Sequence, residues 1–392
     1  MQFFQENINR TNTYSVKWDR TKEVFKTDEQ VLPMWVADMD FYPPEAVTRS
    51  ISRRADHGIY GYTYIDEHVK KQIQEWVLRR QGWNIDADWI QFSHGVVPSI
   101  AKAVQALTEP GEKVLVQSPV YPPFFSMVKE NNRELVNCPL QESGDTYRID
   151  FTALEDALAG GVKMMLLCHP HNPVGRVWTK EELEQIGTLC VKYNVILVSD
   201  EIHGDLVFKP HKQIPAASLS PEISKQTITL IAPSKTFNLA GLQASAVITE
   251  NEEFRKKIEK LDKKNGFFTL NTFGILAMEA AYEEGEAWLE ELLVYLEENV
   301  QLVESFLKEE LPHVKIFKPE ATYLLWIDCR ETGLSDTALN KKLLETGKLA
   351  MNPGTSFGEG GSGFMRMNIA CPKETVQEGL ERLKRALKDE HR

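Results

Sequence analysis

No stretch of the chain approaches the roughly 18 consecutive apolar residues of a membrane-spanning helix. Its first twelve residues carry charge and lack the apolar core of a secretion signal, so a cytoplasmic protein is expected. Cationic excess is also missing. The 57 acidic side chains outnumber the 45 lysines and arginines, for a formal charge of -12. Such a field repels nucleic acid and anionic membranes, and neither is expected as a partner, although a local anion pocket stays open. Cysteine is scarce: five, widely spaced, with no CxxC pair, which reads as reduced structural thiols. GxGxxG is absent from every strand-to-helix turn, its one formal match, Gly358 to Gly363, leading into a strand. That argues against a dinucleotide site, and neither a P-loop GxxxxGK[ST] nor a GxSxG elbow is present. Cys168, His169, His171 and His203 are separated by prolines and have no further carboxylate cluster, so no metal site is expected. Repeats, low-complexity tracts and disordered linkers are lacking too.

What is present is a chain of 392 residues, 42% hydrophobic, long enough for two domains or one large domain with an appendage. Apolar runs at 90–93, 113–117, 163–168, 195–199, 227–231 and 246–249 read as strands. Helical patterns at 45–56 and 69–81 precede them, and those at 99–107, 179–193, 254–264 and 273–282 fall between or after them. This alternation predicts an α/β fold with a mostly parallel central sheet. Thr179 with Glu182 three residues on is a capping-box pattern. A long charged helix from 287 to 309 separates this body from short strands at 314–317, 323–327, 349–351 and 364–369 and helices at 335–345 and 373–389. The expected organisation is an N-terminal arm, 1–45, without helical period of its own, a large domain, 46–286, and a small α+β domain, 287–392.

In open parallel sheets ligands gather outside the carboxyl ends of the strands, and polar residues stand there repeatedly. Thr227 to Ile231 is followed by Ala-Pro-Ser and then Lys235, bordered by the apolar Phe237 to Leu242. An amine so placed is partly desolvated, which lowers its pKa and makes it a nucleophile; the alternative is a strand-end lysine with a buried stem and a solvated head. Asp200 closes the strand 195–199 and Asn172 follows 163–168, and the topology should bring both to Lys235. Either could instead be a cap or turn former. His94-Gly95-Val96-Val97 lies between a strand and a helix, an arrangement that aims free N–H groups at an anion. Tyr121, among prolines, offers an aromatic plate or simple packing. Gly58 to Tyr64, with three tyrosines, is a binding loop or a loop with locally packed rings.

Pyridoxal phosphate chemistry uses this whole set: a lysine to hold the cofactor and a carboxylate to keep its pyridine nitrogen protonated. SPVYPPF, HNPVG, SDEIH and APSKTFNLAGLQ, in this order, resemble the fold type I pyridoxal phosphate enzymes of the class I/II aminotransferase superfamily over nearly the full chain. More narrowly, LPMWVADMDF, HGIYGYT, DEIH and KTFNLAGLQAS are similar to the MalY/PatB-like cystathionine β-lyases, which cleave carbon–sulfur bonds.

The resemblance implies that Lys235 holds pyridoxal 5'-phosphate and moves the substrate's Cα proton. It implies that Asp200 pairs with the pyridine nitrogen, Asn172 donates to the phenolic oxygen, and Tyr121 stacks on the ring. Gly95, Val96, Val97 and Ser234 would hold the phosphate, with Tyr62 arriving from the second subunit of a homodimer and His203 also at the cofactor. Arg366 would clamp the carboxylate of an amino-acid substrate, and Trp35, Val36 and Ala37 would close over it. Three positions depart from the commoner aminotransferase pattern and look like the lyase branch. Gln243 stands where many relatives have a phosphate-binding arginine, Ala232 replaces a frequent serine, and His203 a tyrosine. The reading is a carbon–sulfur β-lyase; the alternatives are an aminotransferase, or a regulatory protein that binds the cofactor and contacts another protein.

Overall fold

The structure, a computed structural model, describes residues 4–388. Asp389, expected as the end of the last helix, and the first three residues of the expected arm lie outside the described residues. The central sheet has seven strands: β1 (Ile90–Ser93), β2 (Lys113–Val116), β3 (Glu134–Asn137), β4 (Val162–Cys168), β5 (Ile196–Asp200), β6 (Thr227–Ile231) and β7 (Ser245–Ile248). Their spatial order is β1-β7-β6-β5-β4-β2-β3. Every neighbouring pair is parallel except those of β7, which runs against both β1 and β6.

The inner strands are mostly apolar because both faces are covered, while the edge strands β1 and β3 carry more polar residues. Val114, Val116, Met164, Leu166, Val198 and Leu230 pack in one core on one side, while Leu115, Met165, Leu167 and Leu197 pack in another on the opposite side. This strict alternation turns Asp200, the last residue of β5, to the same face as Val198, the face covered by the helix Val96–Leu107. Cys168 is its partner across the ladder.

A second sheet contains β8 (Lys315–Phe317), β9 (Leu324–Asp328), β10 (Asn352–Pro353) and β11 (Phe364–Asn368), antiparallel in the order β8-β9-β11-β10. Arg366 lies at its centre, opposite Trp326 on one side and Asn352 on the other. The helix Glu286–Glu310 joins the two sheets, and one continuous apolar core runs from Phe237 and Met278 through Leu289 and Leu292 to Leu325 and Met367. The N-terminal segment Leu32–Pro33 pairs in parallel with Leu349–Ala350 in a separate two-stranded sheet, which ties the arm to the C-terminal part of the chain.

Several local expectations need correction. The helix expected from Ser99 begins at Val96, with Pro98 inside its first turn. First-turn N–H groups have no intrahelical acceptor, so proline is tolerated there. The arm does hold helix, in two short pieces, Val16–Asp19 and Thr21–Phe25, whose length is too small for a period to register. The stiff turn at Pro122-Pro123 opens a helix, Pro123–Lys129, and a further helix, Phe151–Ala159, is capped by Asp150. The capping box of Thr179 and Glu182 is formed, and its helix spans Lys180–Lys192.

Candidate active site

The carboxyl ends of β1, β2, β4, β5 and β6 and the amino end of the opposed β7 share one edge of the sheet. A cavity of about 120 Å³ opens there, lined from five of these ends by Gly95, Tyr121, Asn172, Asp200, Lys235 and their neighbours. Because β7 runs the other way, with Ser245 opposite Ser93, the residues before it, Gln243 and Ala244, also reach the cavity. A larger surface cleft, about 430 Å³ between Lys209, His211 and Glu304, gathers no comparable set.

Lys235 sits in the single helical turn Pro233–Thr236. Its side chain is reached by solvent only in part, and its Nζ donates to the carbonyl of Ala37 at 2.6 Å. Burial, and then the positive Arg366, bring its pKa down to about 8, against the pull of Asp38 and Asp200. The turn is braced from below: Thr236 donates to Asp205 at 2.8 Å, and the same carboxylate accepts from the Trp76 indole at 3.0 Å.

Asp200 is buried, and among the described residues its side chain takes one hydrogen bond, from the Ile202 N–H at 3.1 Å. Desolvation raises its pKa to about 7 despite that bond and the nearby Lys235. Next to it Glu201, also raised to about 7 by burial, faces the other side of the sheet, where Ser199, Gln213 and the Ala216 N–H satisfy it.

Arg366 is buried and meets no carboxylate among the described residues. Its Nη1 donates to Asn172 Oδ1 at 3.0 Å, its Nη2 to the Trp35 carbonyl at 3.0 Å and Asn352 Oδ1 at 2.8 Å, and its Nε has no partner among the described residues. Phe357 lies under its guanidinium at 4.9 Å. Burial lowers its pKa to about 10. A desolvated cation ringed by neutral acceptors is a ready receptor for a carboxylate.

At the other end of the cavity Gly95 caps the helix Val96–Leu107 with φ +116°, a conformation that favours glycine. Its N–H donates to Ser245 Oγ at 3.2 Å, while the amides of Val96 and Val97 lie in the first turn, which has no helical acceptors for them. With Ser234 and Gln243 on the same wall, this end suits an anion. His203 is buried and neutral, its pKa down to about 3 through desolvation and the charges of Lys235 and Arg366, and its Nδ1 is unpartnered among the described residues. Tyr121 lines the cavity with its pKa raised by burial.

Of the expected site residues, Gly95, Val96, Val97, Tyr121, Asn172, Asp200, His203, Ser234, Lys235 and Ala37 all line this cavity. Arg366, Trp35 and Val36 do not line it. Trp35 and Val36 contribute backbone carbonyls, to Arg366 and to Asn368 Nδ2, and their side chains play no part in those bonds. Tyr62 is apart from the cavity, 101% exposed on a loop beside Phe268. Residues with no assigned role complete the frame. Asn238 bonds the backbone of Met39 and Phe41, Asn368 that of Val36 and Asp38, and Tyr323 that of Ala37. Lys17 and Arg10 meet Asp40 at 2.6 and 2.7 Å, fixing the arm from outside. Among the described residues no cluster of His, Cys, Asp and Glu could hold a metal ion; His169 and His171 bond the carbonyls of Ile214 and Pro119.

The family profile for aminotransferase class I and II matches residues 30–383. The chain is 48% identical over 385 residues to cystathionine beta-lyase PatB of Bacillus subtilis (strain 168), covering 98% of this chain and 99% of that protein. Among solved structures, a pyridoxal phosphate-bound protein of Clostridium difficile 630, provisionally named an aminotransferase, is 44% identical with a TM-score of 0.97 over 98% of this chain and 99% of that one. Cystalysin of Treponema denticola, which contains a pyridoxal 5'-phosphate cofactor, is 37% identical with a TM-score of 0.95, covering 98% of both chains.

Proposed function

The chain belongs to the aminotransferase class I and II family, and from that premise we propose that it is a pyridoxal phosphate-dependent carbon–sulfur β-lyase. Its substrates are L-cystathionine, L-cysteine or related S-substituted cysteines; with water they give pyruvate, ammonia and a thiol. The observation that carries this reading is one cavity that collects a part-buried amine, a buried carboxyl with a single donor among the described residues, and first-turn helix N–H groups, beside a buried guanidinium that meets no carboxylate among the described residues. Each fits one part of the cofactor or the substrate. Elimination is preferred to transamination on the near full-length similarity to the Bacillus lyase and to cystalysin.

When bound, pyridoxal phosphate supplies an aldehyde that takes up an amine and a protonated ring that accepts an electron pair from the adjoining carbon. Asp200 would keep the ring nitrogen protonated. Asn172, whose Oδ1 accepts from Arg366, would have Nδ2 left to donate to the phenolic oxygen. Tyr121 and His203 would hold the ring, and Val96, Val97, Gly95 and Ser234 the phosphate. Arg366 orients the substrate by its carboxylate. Lys235, poised by its lowered pKa, removes the Cα proton, and the sulfur departs from Cβ with the electrons of its bond as a thiolate.

We assign Tyr62 to the phosphate of a neighbouring subunit. Its full exposure, in company with Ile59, Tyr60, Tyr64 and Phe268, supports a homodimer formed through this loop. Five free, buried cysteines support a reducing compartment, the cytoplasm.

The test is incubation with L-cystathionine without any keto acid. Pyruvate, ammonia and homocysteine should accumulate over many turnovers. Product that stops at one equivalent and resumes with added 2-oxoglutarate would establish an aminotransferase instead.

A further inference from the structure

The carbonyl of Ala37 accepts two hydrogen bonds, one from Lys235 Nζ at 2.6 Å and one from the hydroxyl of Tyr323 at 3.0 Å. Tyr323 is fully buried immediately before β9, and no expectation from sequence attached a role to it. Two donors on one carbonyl use both of its lone pairs and compete for its electron density. We infer that Tyr323 is a positioning residue for the catalytic lysine: it fixes the acceptor on which the free amine rests and weakens that acceptor's hold on the ammonium form. The inference rests on the reading of Lys235 as the cofactor lysine. The arm around Ala37 is held independently by Asn368 on Val36 and Asp38 and by Asn238 on Met39, so the tyrosine hydroxyl adds a tuning bond to a segment already in place. The groups that act on the amine are Arg366, which disfavours its charge, and Asp38 and Asp200, which favour it. His203, Tyr121 and Tyr323 are held neutral by burial.

Capture of pyridoxal phosphate by the full chain stripped of cofactor requires a neutral amine, so its rate, followed by visible absorbance, rises with pH to a midpoint set by Lys235. Tyr323→Phe leaves the carbonyl undivided for the ammonium and should move this midpoint up by roughly 0.5–1 unit, the share of one neutral hydrogen bond. Tyr323→3-fluorotyrosine, a stronger donor of nearly the same shape, should move it down. Tyr147→Phe removes another buried hydroxyl, bonded to Trp326 outside the cavity, and should leave the midpoint in place. Opposite shifts for the two variants at 323 support the inference; no shift, or shifts of one sign, overturn it. A Lys235→Ala chain that still develops the absorbance overturns the lysine assignment itself.

Discussion

Arg366 donates from Nη1 to Oδ1 of Asn172 at 3.0 Å, so a buried guanidinium is tied to an amide and meets no carboxylate among the described residues. An apolar side chain of similar length removes the desolvation cost of this charge but leaves Asn172 Oδ1, Asn352 Oδ1 and the Trp35 carbonyl without their donor, and the two effects oppose each other. Arg366→Met should therefore change the melting temperature of the cofactor-free chain little. Its kcat/KM for L-cystathionine should fall by roughly 10²–10³, mostly through KM, the cost of an unpaired substrate carboxylate. Calorimetry and steady-state kinetics check both halves; a marked loss of stability with little change in KM would make Arg366 structural.

Asp200 shows the same tension between folding and activity. Its folded-state pKa, about 7, lies above the ordinary 3.8, so the folded chain binds more protons than the unfolded one between these values. Stability from this group is full below about pH 4, declines as pH rises to 7, and is flat above that. Buried His203, His169 and His171, with pKa values near 3, 4 and 4, run the opposite way, losing stability as pH falls from 6.5 towards 4. Asp200→Asn removes only the first trend. In the cofactor-free chain it should be more stable than wild type by roughly 2–4 kcal/mol at pH 8, with the difference shrinking towards pH 4. The same substitution should cost turnover several powers of ten, because the ring nitrogen loses its counter-charge. Melting curves at the two pH values and pyruvate assays test this.

Six of the seven central strands were legible because each is a short, largely apolar run ended by proline, glycine or a polar residue; β6 spans Thr227–Ile231, as the pattern of side chains indicates. β3, Glu134–Asn137, was missed, because its two ends are polar and only two apolar residues lie between them. The residues at their ends were legible for the same reason, since an aspartate or lysine after a buried run has few places to go. Strand direction was not. Nothing in Ser245–Ile248 distinguishes an antiparallel strand from a parallel one, yet this reversal is what brings Gln243 and Ala244 to the cavity. Backbone contributions were equally hidden. Ala37 meets Lys235, and Trp35 meets Arg366, through carbonyl groups that every residue possesses. Tyr323 could not be told from an ordinary core tyrosine, because its hydroxyl partner lies 286 residues away in sequence.

Lys235 and Lys263 offer a direct contrast. Lys263 lies on the exposed helix Glu252–Asn265, paired with Glu259 at 2.6 Å, and contributes nothing to the cavity. Lys235→Ala should abolish the visible absorbance of lysine-bound cofactor and nearly all turnover. Lys263→Ala should change neither, since one exposed i,i+4 pair is worth only about 0.3–0.5 kcal/mol. A wild-type protein that stays colourless with added pyridoxal phosphate would contradict the cofactor assignment.

Tyr62 tests how the site is assembled. It projects into solvent on the loop after Gly58, its ring 6.4 Å from that of Phe268, and cannot serve the cavity of its own chain in this conformation. If a two-fold axis brings this loop to a neighbour, each phosphate receives one hydroxyl from the opposite subunit. Tyr62→Phe should then weaken cofactor retention, and the defect should be greatest at limiting pyridoxal phosphate. Lys235→Ala is inactive for a different reason. A mixed dimer of the two variants contains one site with both Lys235 and the partner's Tyr62 intact, and one site lacking both. Random exchange of equal amounts makes half of the dimers mixed, each with one native site of two, so activity at limiting cofactor should recover to roughly a quarter of wild type. Exchange can be followed separately by mass-tagged subunits. Demonstrated exchange without recovery would mean that the phosphate site is completed within one chain.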